Sequence, residues 1–152
     1  MAHVVQLSRS RGGVPKLAVD EAAVTVNGLD GDRQRDRRFH GGPMRALCLY
    51  SDDLIEQLVL EGHPVVRGSL GENVTIRGLD WSEVRPGTRL SMGETEVEIT
   101  SFTAPCKTIR RSFVDEDFTR ISQKLHRGWS RVYCRVLREG TLRVNDPVFL
   151  SP

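Results

Sequence analysis

The chain has 152 residues, 38% of them hydrophobic, with 22 basic against 20 acidic side chains and a formal net charge of +2. This length and composition predict a single soluble domain over residues 1–152 that buries its own core without disulfide staples. So small a charge is no footprint of a nucleic-acid binder, no apolar run approaches the ~20 residues of a membrane helix, and "MAHVVQLSRS" lacks a leader pattern. A cytoplasmic protein with no nucleic-acid and no membrane partner is expected.

In chain order, valine-rich "HVVQL" and "AAVTVNG" predict strands. Between them "SRSRGGVPKLAVD", with paired glycines and a proline, reads as a loop, and so does the long polar stretch "LDGDRQRDRRFHGGP". "RALCLY" resumes as a buried strand. Ser51 caps a helix over "DDLIEQLVLEG", where Asp52 and Asp53 suit the first turn and Gly62 the end. "GENVTIRG" predicts a short strand and "TRLSMGETEVEIT" a hairpin turning at Gly93-Glu94. In "FVDEDFTRISQKLHRG", Phe118, Ile121 and Leu125 fall at helical intervals, which predicts a helix ending at Gly128. The tail "RVYCRVLREGTLRVNDPVFL" reads as strand, Glu-Gly turn, strand, Asn-Asp-Pro turn, strand. Many short strands and only about two helices predict a mostly β domain, sandwich or barrel, with the helix Asp52–Glu61 packed outside it.

Three cysteines lie far apart, with no metal-type spacing. Cys48 in "ALCLY" and Cys134 in "RVYCRVLRE" read as small core residues, the latter on one strand face with Val132 and Val136. Cys106, in "TSFTAPCKTIRR", follows a proline and precedes Lys107, Arg110 and Arg111. A turn opening there would place its thiol beside backbone N–H groups and cations, which favours a thiolate available as nucleophile or soft-metal ligand. Cys106 is therefore expected to be the reactive thiol of the three.

Three glycine-bearing loops are candidates for a ligand site: Gly12–Lys16, Asp30–Arg45 and Ala104–Arg111. The second carries Arg33, Arg35, Arg37, Arg38, His40 and Arg45, with His40 beside Gly41 and Gly42. Arginine forks, Lys16 and glycine N–H groups suit phosphate and polar ring systems. The turn "SLGENVT" adds Glu72 and Asn73.

Taken in order, "GGVPK", "GLDGDR", "HGGPMRALCLY", "GHPVVRGSLGENVTIRGLDW", "PGTRLSMGETEVEIT" and "APCKTI" resemble the MOSC domain, the module also found at the C-terminus of molybdenum-cofactor sulfurases. The resemblance runs from about Gly12 to the final "VFL". It implies a β-barrel of the pyruvate-kinase-barrel type with a few short peripheral helices, and a pocket for the molybdenum cofactor, a pterin with a dithiolene and a phosphate. It makes Cys106 similar to a residue that either ligates molybdenum or carries a persulfide sulfur. Lys16, Arg33, His40, Gly41, Gly42, Arg45, Asn73, Lys107 and Arg110 are the cofactor-binding residues expected with it.

The resemblance further implies an oxidoreductase acting on small N-hydroxylated compounds with electrons from a separate flavin or iron–sulfur reductase. The alternative is a sulfur carrier, loaded by a cysteine desulfurase. No stretch resembles the extra N-terminal β domain or C-terminal helical domain of some relatives, so a partner-dependent activity is expected. Nor is there a pyridoxal-phosphate module, and any pyridoxal-phosphate association belongs to the fused relatives. Two other readings of the same residues are a Cys106–His40 hydrolase oriented by Asp30 or Asp32, and a salt-sensitive phosphate- or nucleic-acid-binding module using the arginine loop.

Overall fold

The computed structural model describes residues 1–32 and 42–151. Eleven strands and one α-helix make up its regular framework. β1 (His3–Arg9), β2 (Leu17–Val19), β5 (Leu47–Ser51), β6 (Val74–Arg77), β7 (Arg89–Met92), β8 (Thr95–Thr103), β9 (Arg131–Arg138) and β11 (Val148–Ser151) form an eight-stranded sheet in the order β11-β7-β8-β9-β5-β6-β1-β2. A smaller sheet, β10-β3-β4, is built from β3 (Glu21–Thr25), β4 (Gly28–Leu29) and β10 (Gly140–Arg143). The large sheet curls until β1 meets the approach to β11, where His3 and Pro147 form an antiparallel bridge and the Val4 N–H donates to Asp146 O at 2.9 Å. The result is the expected mostly β fold, a barrel joined by one bridge rather than sealed by a full ladder.

β5 and β6 form the one parallel pair among the named strands, and a parallel pair needs a crossover. α1 (Asp52–Leu60) supplies it. Ser51 caps it as predicted, its Oγ accepting the Leu54 N–H at 3.2 Å, and Gly62 leaves it with φ +98°. Ile55 and Leu58 are its apolar contribution to the core.

Three expectations are corrected, the first being the Glu-Gly turn of the tail, where Glu139 alone, with no turn or bend, separates β9 from β10. The segment after Phe113 is not an α-helix but two short 3-10 turns, Val114–Glu116 and Phe118–Ile121. Asp115 and Glu116 sit at φ +56° and +55°, outside the right-handed helical region, and the Arg120 N–H bonds back three residues to Asp117 O. Tertiary anchors outweigh helical periodicity here. Arg120 forks onto Glu61 at 2.8 and 2.7 Å and stacks 3.9 Å over the Trp129 ring, while Leu125 stays exposed. The first loop also holds β2, which pairs Val19 with Leu7.

The strand phase of β9 positions the site. Val132, Cys134 and Val136 face the core, as their alternation predicts. Arg131 and Tyr133 point the other way. Tyr133 is in register with Cys48 of β5, Arg131 with Thr103 of β8, and a register shift between Ile99 and Ser101 brings that end of β8 into phase. One end of this second face is therefore a polar floor of Cys48, Thr103, Arg131 and Tyr133.

Candidate functional site

Lys16 is buried, and its ammonium lies 2.9 and 2.7 Å from the two oxygens of Asp32. Its backbone N–H donates to Gly68 O at 3.0 Å. Gly68 has φ +87°, and a Cβ there would stand 2.4 Å from the Lys16 carbonyl oxygen, so this turn requires glycine. Asp32 also accepts the Asn73 Nδ2–H at 2.9 Å. Asn73 in turn accepts the Cys48 N–H on Oδ1 at 3.0 Å and donates Nδ2–H to Ser8 O at 3.2 Å. Four distant segments thus converge in one buried chain of bonds, Lys16–Asp32–Asn73–Cys48.

Cys48 is buried as expected, yet it lies outside the hydrophobic cluster. Its Sγ is 3.9 Å from Thr103 Oγ1. Burial pushes its thiol pKa up, Glu72 adds to that, and Arg131 and Lys16 oppose it. Cys134 is wholly buried in the core, and burial likewise holds its thiol protonated. Cys106 differs from both: it is half-exposed and stands immediately before the 3-10 turn Lys107–Ser112, with its carbonyl accepting the Ile109 N–H at 3.1 Å.

Tyr133 links these groups. Burial raises its hydroxyl pKa, the charges of Cys48 and Cys106 act in the same direction, and Arg131 and Arg45 act against it. The Arg45 guanidinium sits 5.3 Å from the centre of its ring. Arg45 ends the short turn Pro43–Arg45, which follows Gly42 at φ +80°. Tyr133, Thr103 and Arg131 were not among the expected residues; for Arg131 and Tyr133 the available signal was the off-phase set of "SRVYCRV".

The other expected residues lie further along the same loop. Lys107, Thr108, Arg110, Arg111 and Ser112 line a cleft of about 490 Å³ together with Val14 and Pro15. Lys107 and Arg111 are exposed. Arg110 is engaged locally, with Nη1 donating to Lys107 O at 2.9 Å and Nε 3.0 Å from Glu116. Its charge is thus partly drawn away from Cys106. Arg33, Arg35, Arg37, Arg38, His40 and Gly41 lie outside the described residues.

Among the described residues, no three His, Cys, Asp or Glu side chains gather as a cage for a bare metal ion. The donor set instead fits a metal that arrives with ligands of its own. Cys106, a half-exposed soft thiol, does not line the cleft but immediately precedes Lys107, which does, and a soft thiol followed by cations and hydroxyls suits a dithiolene-bound metal with a phosphate tail.

The family model described as "MOSC domain" matches residues 36–149. The chain belongs to the MOSC domain family. Protein YiiM of Escherichia coli (strain K12) is 30% identical over 122 residues, covering 76% of this chain and 54% of that protein. The uncharacterized protein YflK of Bacillus subtilis (strain 168) is 31% identical over 116 residues, covering 74% and 50%. This MOSC chain therefore spans about half the length of the curated relatives it matches. A solved structure titled only as a hypothetical protein superposes with a TM-score of 0.76 at 27% identity, covering 97% of this chain and 67% of that one. No helix among the described residues is long and apolar enough to cross a membrane.

Proposed function

We propose that this MOSC protein binds a molybdenum–pterin cofactor with Cys106 as the metal ligand, and works as a small partner-dependent oxidoreductase on N-hydroxylated compounds. The observation that carries the reading is Cys106, a half-exposed thiol at the head of a cationic turn, in a chain whose other two cysteines are buried. Lys107, Arg110 and Arg111 line the adjoining cleft and would take the phosphate, Arg110 by exchanging its bond to Glu116. Gly42, and Arg33, His40 and Gly41 outside the described residues, are the further candidates. When bound, the cofactor would supply two-electron transfer at its metal.

The chain's own residues orient and exclude. Lys16 is neutralised by Asp32 and so presents little free charge, and its role is to hold the loop Gly12–Lys16 against the turn at Gly68. Asn73 holds that turn to β5. Arg45 covers Tyr133 at the side of the floor. Electrons would come from a separate flavin or iron–sulfur reductase, since no group among these residues stores them.

The test is purification from a host that makes the cofactor, followed by metal analysis and pterin fluorescence on the wild type and Cys106→Ser. Near-stoichiometric molybdenum and pterin in the wild type, with molybdenum lost in the variant at unchanged fold, is expected. Cyanide-releasable sulfur on Cys106 without metal or pterin would overturn it and favour the sulfur carrier fed by a cysteine desulfurase.

A further inference from the structure

Arg131 is the one buried arginine among the described residues. No ion pair of the described residues includes it. Its Nη1 donates to the Leu70 carbonyl at 2.6 Å, its Nη2 reaches the Ala104 carbonyl at 3.4 Å, and its Nε–H has no partner. A guanidinium is costly to bury, and this one is held by backbone carbonyls from two segments far apart in sequence.

Those two segments are the halves of the candidate site. Leu70 begins the turn that leads to Glu72 and Asn73. Ala104 begins the excursion that leads through Pro105 to Cys106. The antiparallel ladder of β8 with β9 ends at Thr103, opposite Arg131 itself, where Ser130 Oγ also donates to Thr103 O at 3.2 Å. Beyond it Pro105 has no N–H to give, and the next backbone bond is Ile109 N–H to Cys106 O. Among the hydrogen bonds of the described residues, Arg131 provides the side-chain tether on the three residues Ala104–Cys106.

We propose that Arg131 is the positioning residue of Cys106: its fork ties the Ala104 carbonyl, two residues before the thiol, to the Leu70 carbonyl, and so fixes the thiol relative to the Lys16–Asp32–Asn73 cluster. The proposal rests on Cys106 being the working thiol of the site. A lysine at this position would keep the charge and lose the fork, because an ammonium is a single point of donation on a flexible stem.

The experiment uses the 152-residue chain without cofactor, so that failure to bind molybdenum leaves its readouts untouched. Arg131→Lys and Arg131→Met are compared with the wild type by iodoacetamide alkylation of Cys106 across pH, and by native-state hydrogen exchange. The limiting alkylation rate at high pH reports access to the thiol, because ionisation is complete there. In both variants that limiting rate is expected to rise severalfold, and the Ile109 amide to exchange about tenfold faster, while the Leu90 and Val97 amides keep wild-type rates.

Wild-type limiting rates and Ile109 exchange in either variant would overturn the proposal. In Arg131→Lys alone that result would assign the role to charge instead of the fork. A uniform rise across all strands would also overturn it, leaving Arg131 as a stability residue only. Should the variants not fold, nitrogen-15 arginine spectra of the wild type decide: two separately resolved Nη resonances for Arg131 are expected, and one averaged signal overturns the tether.

Discussion

Glu72 keeps its carboxyl wholly inside the protein, where Oε2 accepts the Gly68 N–H at 3.0 Å and the Thr75 hydroxyl at 3.1 Å while Oε1 accepts nothing. Burial pushes its pKa up, and this outweighs the pull of those bonds and of Arg131. An acid whose folded value lies above the unfolded ~4.3 contributes stability that is fully present below ~4.3 and is lost as pH rises through the raised value. Glu72→Gln keeps the shape and removes the titration. Urea unfolding at a series of pH values should therefore show a wild type that loses stability with rising pH relative to the variant. A constant difference between the two across that window would contradict the assignment. At this scale the half-exposed turn setting of Cys106 was legible, because a proline before it and cations after it are local signals. Arg131 and Tyr133 were not. A strand arginine ordinarily points to solvent, and nothing local marks the strand whose second face is also covered.

At the scale of elements, α1 was readable down to its cap, because Ser51, the paired aspartates and Gly62 each act within one turn of the helix end. Asp52 does more than suit the helix terminus. Burial alone would raise its pKa, but hydrogen bonds and charge from Arg67 at 2.7 Å and Arg77 at 3.1 Å hold it below the usual carboxylate range. A depressed acid contributes stability present above its unfolded value of ~3.9 and lost as pH falls through the folded one. Asp52→Asn should thus destabilise the protein at neutral pH by about 1–2 kcal/mol, given that both arginines are partly exposed and screened. Melts at pH 7 and near pH 3 should show the gap closing in acid; a gap that persists there would place the effect in packing. The 114–121 segment was unreadable for the opposite reason. Its course is set by Arg120 gripping Glu61 and Trp129, contacts that sequence spacing does not encode.

Across the whole molecule, the mostly β character followed from the density of short strands and turn signals, but the division into two sheets did not. β9 and β10 are separated by Glu139 alone, with no turn between them, and nevertheless enter different sheets, because β10 finds β3 as its partner. Both sheets feed one hydrophobic cluster, in which Ala22, Val24, Leu29 and Leu142 of the small sheet pack with Val4, Leu90 and Ile99 of the large one. The protein should consequently unfold as one unit. Denaturation followed by tryptophan fluorescence, which reports Trp81 and Trp129, should coincide with far-ultraviolet circular dichroism, and two separated midpoints would show the sheets to be independent. Asn73 gives that unity a further consequence. Its own N–H and C=O bond Cys48 O and Ser8 N–H, while its side chain returns a bond to each of the same two residues, so one amide substitutes for an extra peptide unit at a seam between β5 and β1. A substitution that removes the amide would break both side-chain bonds, and the bond to Asp32, at once. The barrel's wall and the candidate site draw on the same few atoms, so the site inherits its rigidity from the architecture.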